Sequence, residues 1–359
     1  MSPRAGICAL TIALMSHTGS LLGAVAWRDV LQQPAEWYAT AEARGIADTV
    51  LLYQDASGGW PKNRDMTVPP PARPTPPDLH DSVTDINDPT IDNDATTTQM
   101  WLLARVFSAT GDERYQSPVL RGLDYLLVSQ YANGGWPQYH PLRIGYYTHI
   151  TYNDNAMVNV LEVLRYVRDE QKPFTWVDAT RRQSAGLAFS RGLDCILRTQ
   201  VKQNGKLTAW CAQHDEHTFE PAWARNFEPP SLSGMESVGL VRFLMSVEQP
   251  TPEIIAAIEG AVAWFKAVPI RGLRVDNSPG EDGKRDRHAV ADQAAPALWA
   301  RFYELGTNRP VFTGRDKIIR YDFNEIERER RIGYTYLSDW PARLLEQGYP
   351  RWRAKHKLP

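Results

Sequence analysis

Apolar positions recur at helical spacing in paired stretches through the first 250 residues, and glycine-rich polar turns separate the pairs. The spacing predicts helices over 35–52, 119–128 and 183–197, each closed by a related turn. Tyr53-Gln54-Asp55-Ala56-Ser57-Gly58-Gly59-Trp60-Pro61 recurs 76 positions later as Ser129-Gln130-Tyr131-Ala132-Asn133-Gly134-Gly135-Trp136-Pro137. A degraded third copy reads Thr199-Gln200, then Asn204-Gly205-Lys206-Leu207, with Trp210 following. Glycine ends a helix because it accepts the left-handed conformation without a Cβ penalty, and the following proline prevents resumption.

Each turn leads to a second helix with an unusual start. Ile91-Asp92-Asn93-Asp94-Ala95 opens a helix expected over 96–107, and Tyr152-Asn153-Asp154-Asn155-Ala156 one over 157–168. Leu232-Ser233-Gly234-Met235-Glu236 opens the third, over 237–247. Helix, turn, helix, three times over, predicts a mainly α protein, an irregular α/α toroid of three helical hairpins; a linear stack of hairpins is the alternative. Trp60 to Asp92 spans 32 positions against 17 from Trp136 to Asn153, and the excess, with Pro69, Pro70, Pro71, Pro74, Pro76 and Pro77, reads as a stiff surface loop. Beyond Pro269 the periodicity fades, leaving a short helix expected over 293–305, a strand over 317–321, and otherwise irregular chain packed on the helices.

Composition refines this picture. The 359 residues suffice for one large domain or two closely packed ones, and ordinary apolar and charged fractions of 43% and 23% exclude disorder. No run of 18 apolar residues occurs, so no membrane span is expected. Residues 1–26 read as a signal peptide, with Arg4, an apolar stretch from Ile7 to Met15 and a small-residue cleavage site at Ala24-Val25-Ala26; the expected destination is periplasmic or secreted. Cleavage removes Cys8 and leaves Cys195 and Cys211, for which one disulfide is expected, with two buried thiols as the alternative. Residues 27–267, the expected helical lobe, carry 21 Lys and Arg against 29 Asp and Glu; residues 268–359, the expected second lobe, carry 18 against 13. A basic third facing an acidic two-thirds suits an anionic ligand that is also bound through a cation.

The chemistry concentrates at the helix starts. Asp92, Asp94 and Asp154, with Asn93, Asn153 and Asn155 between them, could converge if equivalent loops share one end of a ring. Hard oxygen ligands without His or Cys suit Ca²⁺ better than zinc. Plain N-capping accounts for one acidic residue per helix, including Glu236, and a pair of carboxylates also suits a glycosidase acid and base. Trp60 and Trp136 read as core rather than sugar platforms.

Together these motifs resemble family 10 pectate lyases. The resemblance is carried by Gly58-Gly59-Trp60-Pro61-Lys62-Asn63, Asp92-Asn93-Asp94-Ala95-Thr96, Gly134-Gly135-Trp136-Pro137-Gln138 and Asn153-Asp154-Asn155-Ala156-Met157. It continues through Asn204-Gly205-Lys206-Leu207-Thr208-Ala209-Trp210-Cys211-Ala212-Gln213-His214-Asp215, Ala224-Arg225, Ser233-Gly234-Met235-Glu236-Ser237, Trp299-Ala300-Arg301-Phe302-Tyr303-Glu304, Thr313-Gly314-Arg315-Asp316 and Gly333-Tyr334. It implies a helical toroid with a coil-rich second lobe, a cleft between them, and Ca²⁺-dependent β-elimination of polygalacturonate by a monomer with no nucleic-acid partner. By the same resemblance Asp92 and Asp154 hold Ca²⁺, with Asp94 an additional ligand. Arg315 is the catalytic base, Arg225 and Arg301 clamp substrate carboxylates, and Lys62 and Lys206 contact them. A toroidal glycoside hydrolase and a non-catalytic polysaccharide binder are the competing functions.

Overall fold

The computed structural model describes residues 25–71, 88–280 and 282–358. The signal-peptide reading falls almost entirely outside these residues, as do Pro74, Pro76 and Pro77. Seven helices carry the first part of the chain: α1 (Ala41–Leu51), α2 (Thr97–Thr110), α3 (Gln116–Val128), α4 (Ala156–Arg168), α5 (Ala179–Thr199), α6 (Glu236–Met245) and α7 (Pro252–Ala267). The expected helix 35–52 is broken at Thr40, whose side chain caps α1 by accepting from Ala43 N after the 3-10 turn Ala35–Ala39. Helix α7 was not expected, although Thr251, accepting from Ile254 N ahead of Pro252, is a plain start signal.

The three turn copies share one hydrogen-bonding scheme. Gln54 Nε2 donates to Gly58 O in its own turn and to Pro118 O of α3, at 2.8 and 2.9 Å. Gln130 Nε2 donates to Gly134 O and to Ala188 O of α5, at 3.0 and 2.9 Å. Gln200 Nε2 donates to Thr208 O and to Ala257 O of α7, both at 2.8 Å. The fully buried indoles of Trp60, Trp136 and Trp210 donate back to Val50, Leu126 and Ile196, in the last turn of the helix just completed. Each glutamine therefore ties the end of one outer helix to the next outer helix. Inside that layer α2 packs on α4, and α4 on α6.

The copies differ where the neighbouring helix differs. Arg121 of α3 donates to Gln54 Oε1, and Arg191 of α5 to Gln130 Oε1. The carbonyls of these arginines press on Gly58 and Gly134, where a Cβ would lie 2.3 and 2.1 Å from oxygen. In the third copy Gly260 of α7 stands in the arginine's place, three residues after the carbonyl that accepts from the glutamine. The room it leaves takes Leu207, 2.6 Å from where a Gly260 Cβ would be, in a hairpin of strands Lys202–Gln203 and Lys206–Leu207. Without the arginine, Gln200 Oε1 is buried with no partner.

After α7 the chain forms short antiparallel strand pairs and two short helices, α8 (Arg328–Gly333) and α9 (Tyr349–Lys355). The helix expected over 293–305 is replaced by strands Trp299–Ala300 and Phe302–Tyr303, which pair with Leu337–Ser338 and Leu232–Ser233. Every residue from Trp299 to Tyr303 is buried, so the segment packs on both sides, which suits a strand better than an amphipathic helix. Ile319–Arg320, inside the expected strand 317–321, pairs with Phe312–Thr313. Cys195 and Cys211 are both free and buried, so the expected disulfide is absent. Cys195 lies in α5 beside Tyr152, whereas Cys211 packs near Ala222, and burial pushes the Cys195 thiol up to about 12. Among the described residues no helix is long and apolar enough to cross a membrane.

Two glycines separate strain from crowding. Gly134 and Gly205 both have positive φ, +93° and +76°, but only Gly134 meets another backbone. Gly205→Ala should cost about 1 kcal/mol of conformational strain, and Gly134→Ala about 1–3 kcal/mol more, in urea denaturation. Equal losses would show that the turn yields and that its approach to α5 is not a constraint.

Candidate active site

The starts of α2, α4 and α6 meet at one end of the helical layer. The turn Asp92–Asp94 packs against the turn Asn153–Asn155, which packs against α6. These turns are not N-caps: no side chain caps α2, α4 or the turns themselves. Instead Asn93, Asp94, Asp154 and Asn155 all adopt positive φ, which Asn and Asp tolerate best among non-glycine residues. The left-handed backbone turns the side chains away from the helix amides, and the plain N-capping reading fails.

What results is one hydrogen-bonded network. Lys62 Nζ lies 2.5 Å from Asp92 Oδ2. The Asn153 amide donates to Asp154 Oδ2 at 2.8 Å and to Asp92 Oδ1 at 3.4 Å, and its oxygen accepts from Arg301 at 3.2 Å. Arg301, only 5% exposed, also lies 3.4 Å from Asp154 Oδ1 and is paired with Glu236. The arginine stacks on Tyr334, 4.4 Å from the ring centre, and Tyr334 donates its hydroxyl to Glu228 at 2.8 Å. Glu228 grips Arg225 through both oxygens, at 2.9 and 2.5 Å. Arg225 and Arg315 both approach the Phe227 ring, at 4.8 and 5.8 Å.

These contacts form one chain of neighbours from Lys62 to Arg315, with carboxylates and cations interspersed. Lys62, Asp92, Asp154, Arg225, Arg301 and Arg315 all fall along it. Asp94 stands apart, its Oδ1 accepting from Asn159 of α4 at 2.6 Å. Lys206 is exposed in the inserted hairpin on α7, outside the network. Glu236, read as a cap, is an ion-pair partner instead, because Ser233 Oγ already accepts from the Met235 and Glu236 amides. Glu228 was not foreseen, although its place three residues after Arg225 was a usable signal.

Protonation follows this geometry. Burial raises the Asp154 carboxyl, aided by Glu236 and Asp92 and opposed by Arg301. Burial pulls the Lys62 ammonium down, but Asp92 and Tyr139 more than offset it, so it is held above the ordinary range. Glu228 is lowered, because Arg225 and Tyr334 outweigh its burial. Glu329, bound to Arg315 Nε and Nη2 at 2.9 and 3.0 Å, holds that guanidinium above its ordinary value. Asp92 and Asp154, bridged by the Asn153 amide nitrogen, offer only oxygen donors, a set that fits a hard divalent cation.

The pectic acid lyase family model matches residues 54–345. The chain belongs to the pectic acid lyase family. It is 35% identical to a family 10 polysaccharide lyase from Cellvibrio cellulosa, with 90% of this chain and 94% of that one covered and a TM-score of 0.75. A point mutant of the family 10 lyase from Cellvibrio cellulosa in complex with trigalacturonic acid gives 35% identity, coverage of 90% and 98%, and a TM-score of 0.74. Among curated proteins none matches. This membership makes the chain a pectate lyase, a carbon–oxygen lyase rather than a hydrolase or a non-catalytic binder.

In the lyase a buried histidine holds the loop that pairs with the chain entering the Asn153–Asn155 turn. Tyr152 N donates to Ala212 O, and the loop after Ala212 is held by His214. Cys211 N donates to His214 Nε2 at 3.0 Å, so the other ring nitrogen carries the proton and donates to Phe219 O at 2.8 Å. Burial lowers the His214 value from 6.5 to about 4, because a second proton would enter a buried ring and displace the Cys211 hydrogen bond. The unfolded chain binds that proton first as pH falls. Stability from this group is therefore complete above pH 6.5, declines as pH falls and is lost by about pH 4, a span of about 3 kcal/mol. Urea denaturation across this range should show that slope, and His214→Gln should flatten it. An unchanged slope would exclude His214 as its source.

Proposed function

We propose that this pectate lyase cleaves polygalacturonate by β-elimination across C4–C5, using Ca²⁺ held by Asp92 and Asp154, which the Asn153 amide draws together in the free enzyme. The observation that carries the reading is the union of these oxygens with Arg301 and Arg225 in one network, together with the trigalacturonate complex of the similar lyase. Elimination removes the C5 proton beside a carboxylate that resists further negative charge. A bound Ca²⁺ neutralises that carboxylate and stabilises the charge that develops. Arg301, whose buried Nε has no partner, supplies a donor fixed in place before substrate arrives. Lys62, paired with Asp92 in the free enzyme, would be released toward a uronate carboxylate if a cation took Asp92. Asp94 and Lys206 are outer contacts in this scheme.

The proton is taken by an arginine. The family resemblance assigns it to Arg315. A second reading, favoured by geometry, assigns it to Arg225, whose charge acts on Asp154 while Arg315 sits farther along the line, paired with exposed Glu329. Both guanidiniums are held protonated by carboxylates in the free enzyme, so either must exchange its partner before acting, and activity should rise toward alkaline pH. The two-layered helices support the toroid, with residues 268–359 as the second lobe that supplies Arg301 and Arg315. Export by residues 1–26 and a monomeric state complete the proposal.

Polygalacturonate should yield a product absorbing in the ultraviolet, since elimination creates a conjugated double bond. Chelation should abolish it, as should Asp92→Ala or Asp154→Ala with helical circular dichroism retained. Saturated products, or activity indifferent to chelator, would refute the chemistry. Arg→Lys and Arg→Ala at 225 and at 315 identify the base: its two variants lose nearly all turnover with oligogalacturonate affinity little changed. At the clamping position, lysine recovers much of the activity and the loss appears in binding.

A further inference from the structure

We propose that His149, Asp215 and Glu216 form a second divalent-cation site, of zinc type, separate from the carboxylates at the helix starts. One donor atom from each lies within 4.8 Å of the others. His149 Nδ1 is 3.0 Å from Glu216 Oε2, and both side chains are mostly buried, 19% and 16% exposed. Tetrahedral zinc, with ligands at about 2.0–2.1 Å, sets donors about 3.3 Å apart, so small side-chain rotations close the site. One imidazole with two carboxylates suits zinc, whereas calcium takes oxygen ligands alone.

The backbone already holds the site. Strand Ile150–Thr151 pairs with Gln213–His214, Ile150 opposite His214, which sets His149 beside Asp215 at the end of the ladder. Asp215 Oδ1 accepts from His217 N, Thr218 N and Thr218 Oγ1 at 2.9, 2.8 and 3.0 Å, shaping the turn that presents Glu216. Asn133 Nδ2 donates to Glu216 O at 2.6 Å, fastening that turn to the second turn copy. Exposed His217 has Nε2 3.9 Å from Glu216 Oε1 and can provide a fourth ligand in place of water. A zinc ion here pins the chain four residues before Asn153.

Full-length protein stripped with chelator is titrated with zinc chloride by calorimetry, in the parent and in an Asp92→Ala, Asp154→Ala double variant that removes the other carboxylate pair. The double variant should bind one equivalent. Adding His149→Gln or Glu216→Gln should weaken binding about tenfold or more and abolish the zinc-dependent rise in melting temperature, with circular dichroism unchanged. His217→Ala should weaken it less. No zinc binding in the double variant, unchanged affinity after both His149→Gln and Glu216→Gln, or calcium binding there in preference to zinc would overturn the site. Because the readout is metal binding in a protein lacking Asp92 and Asp154, it does not depend on the proposed elimination chemistry.

Discussion

Three turn glutamine amides, one buried and two half-buried, set the geometry of the helical layer. Each NH₂ group donates twice, once to its own turn and once to the next outer helix, so it fixes both where a helix ends and how far away its neighbour stands. Such a bond contributes only about 0.5–1.5 kcal/mol net, but leaving its buried partners unsatisfied costs about 1–3 kcal/mol. The asymmetry makes the spacing hard to relax. The inner helices start where the turns release the chain: Trp60 N donates to Thr96 Oγ1 and Trp210 N to Ser237 Oγ, both at 3.0 Å. Outer spacing thereby becomes inner spacing, and the helix starts are brought within reach of each other.

That proximity would be unfavourable without the cations. Asp92, Asp154 and Glu236 are drawn together from three repeats, and the Asp154 carboxyl is raised first by burial and further by the other two. Arg301 arrives from the strand-rich part of the chain and lies against both Asp154 and Glu236. Removing one partner of a pair this buried typically costs about 3–5 kcal/mol, because the survivor is left charged and poorly solvated. The two parts of the chain are consequently joined by the same groups that form the candidate active site. The Arg301 guanidinium is thereby already desolvated and oriented.

The sequence made the repeat, six of the seven major helices and the acidic helix starts legible because each carries a local signature: a Gly-Gly-Trp turn, apolar spacing, or an Asp/Asn run. What was illegible depended on partners distant in the chain. Trp299 to Tyr303 resembles a helix by spacing and becomes strand because Leu232–Ser233 and Leu337–Ser338 flank it. Glu236 resembles a first-turn carboxylate and is engaged by an arginine 65 positions later. The cysteines satisfied a count for pairing, but α5 and the Cys211 loop bury them in different surroundings. Lys206 follows a turn motif like Lys62, yet the third copy is longer between Gln200 and Trp210, and the added residues carry it out to α7.

Strain divides the labour among the repeats. In the first two copies, non-glycine residues at positive φ cluster at the helix start, Asn93, Asp94 and Thr96 in one and Asp154 and Asn155 in the other. Such conformations persist only where the surroundings over-determine them, and they concentrate at functional sites. Here they turn Asp92 and Asp154 away from the helix amides they would otherwise cap and toward Asn153 between them. The third copy does without this strain. Its chain enters α6 from the strand Leu232–Ser233, Ser233 Oγ accepts from the first amides and donates to Glu236 Oε2, and Glu236 Oε1 takes Arg301. Two repeats thus supply oxygens suited to a cation, and the third supplies the carboxylate that holds the arginine beside them.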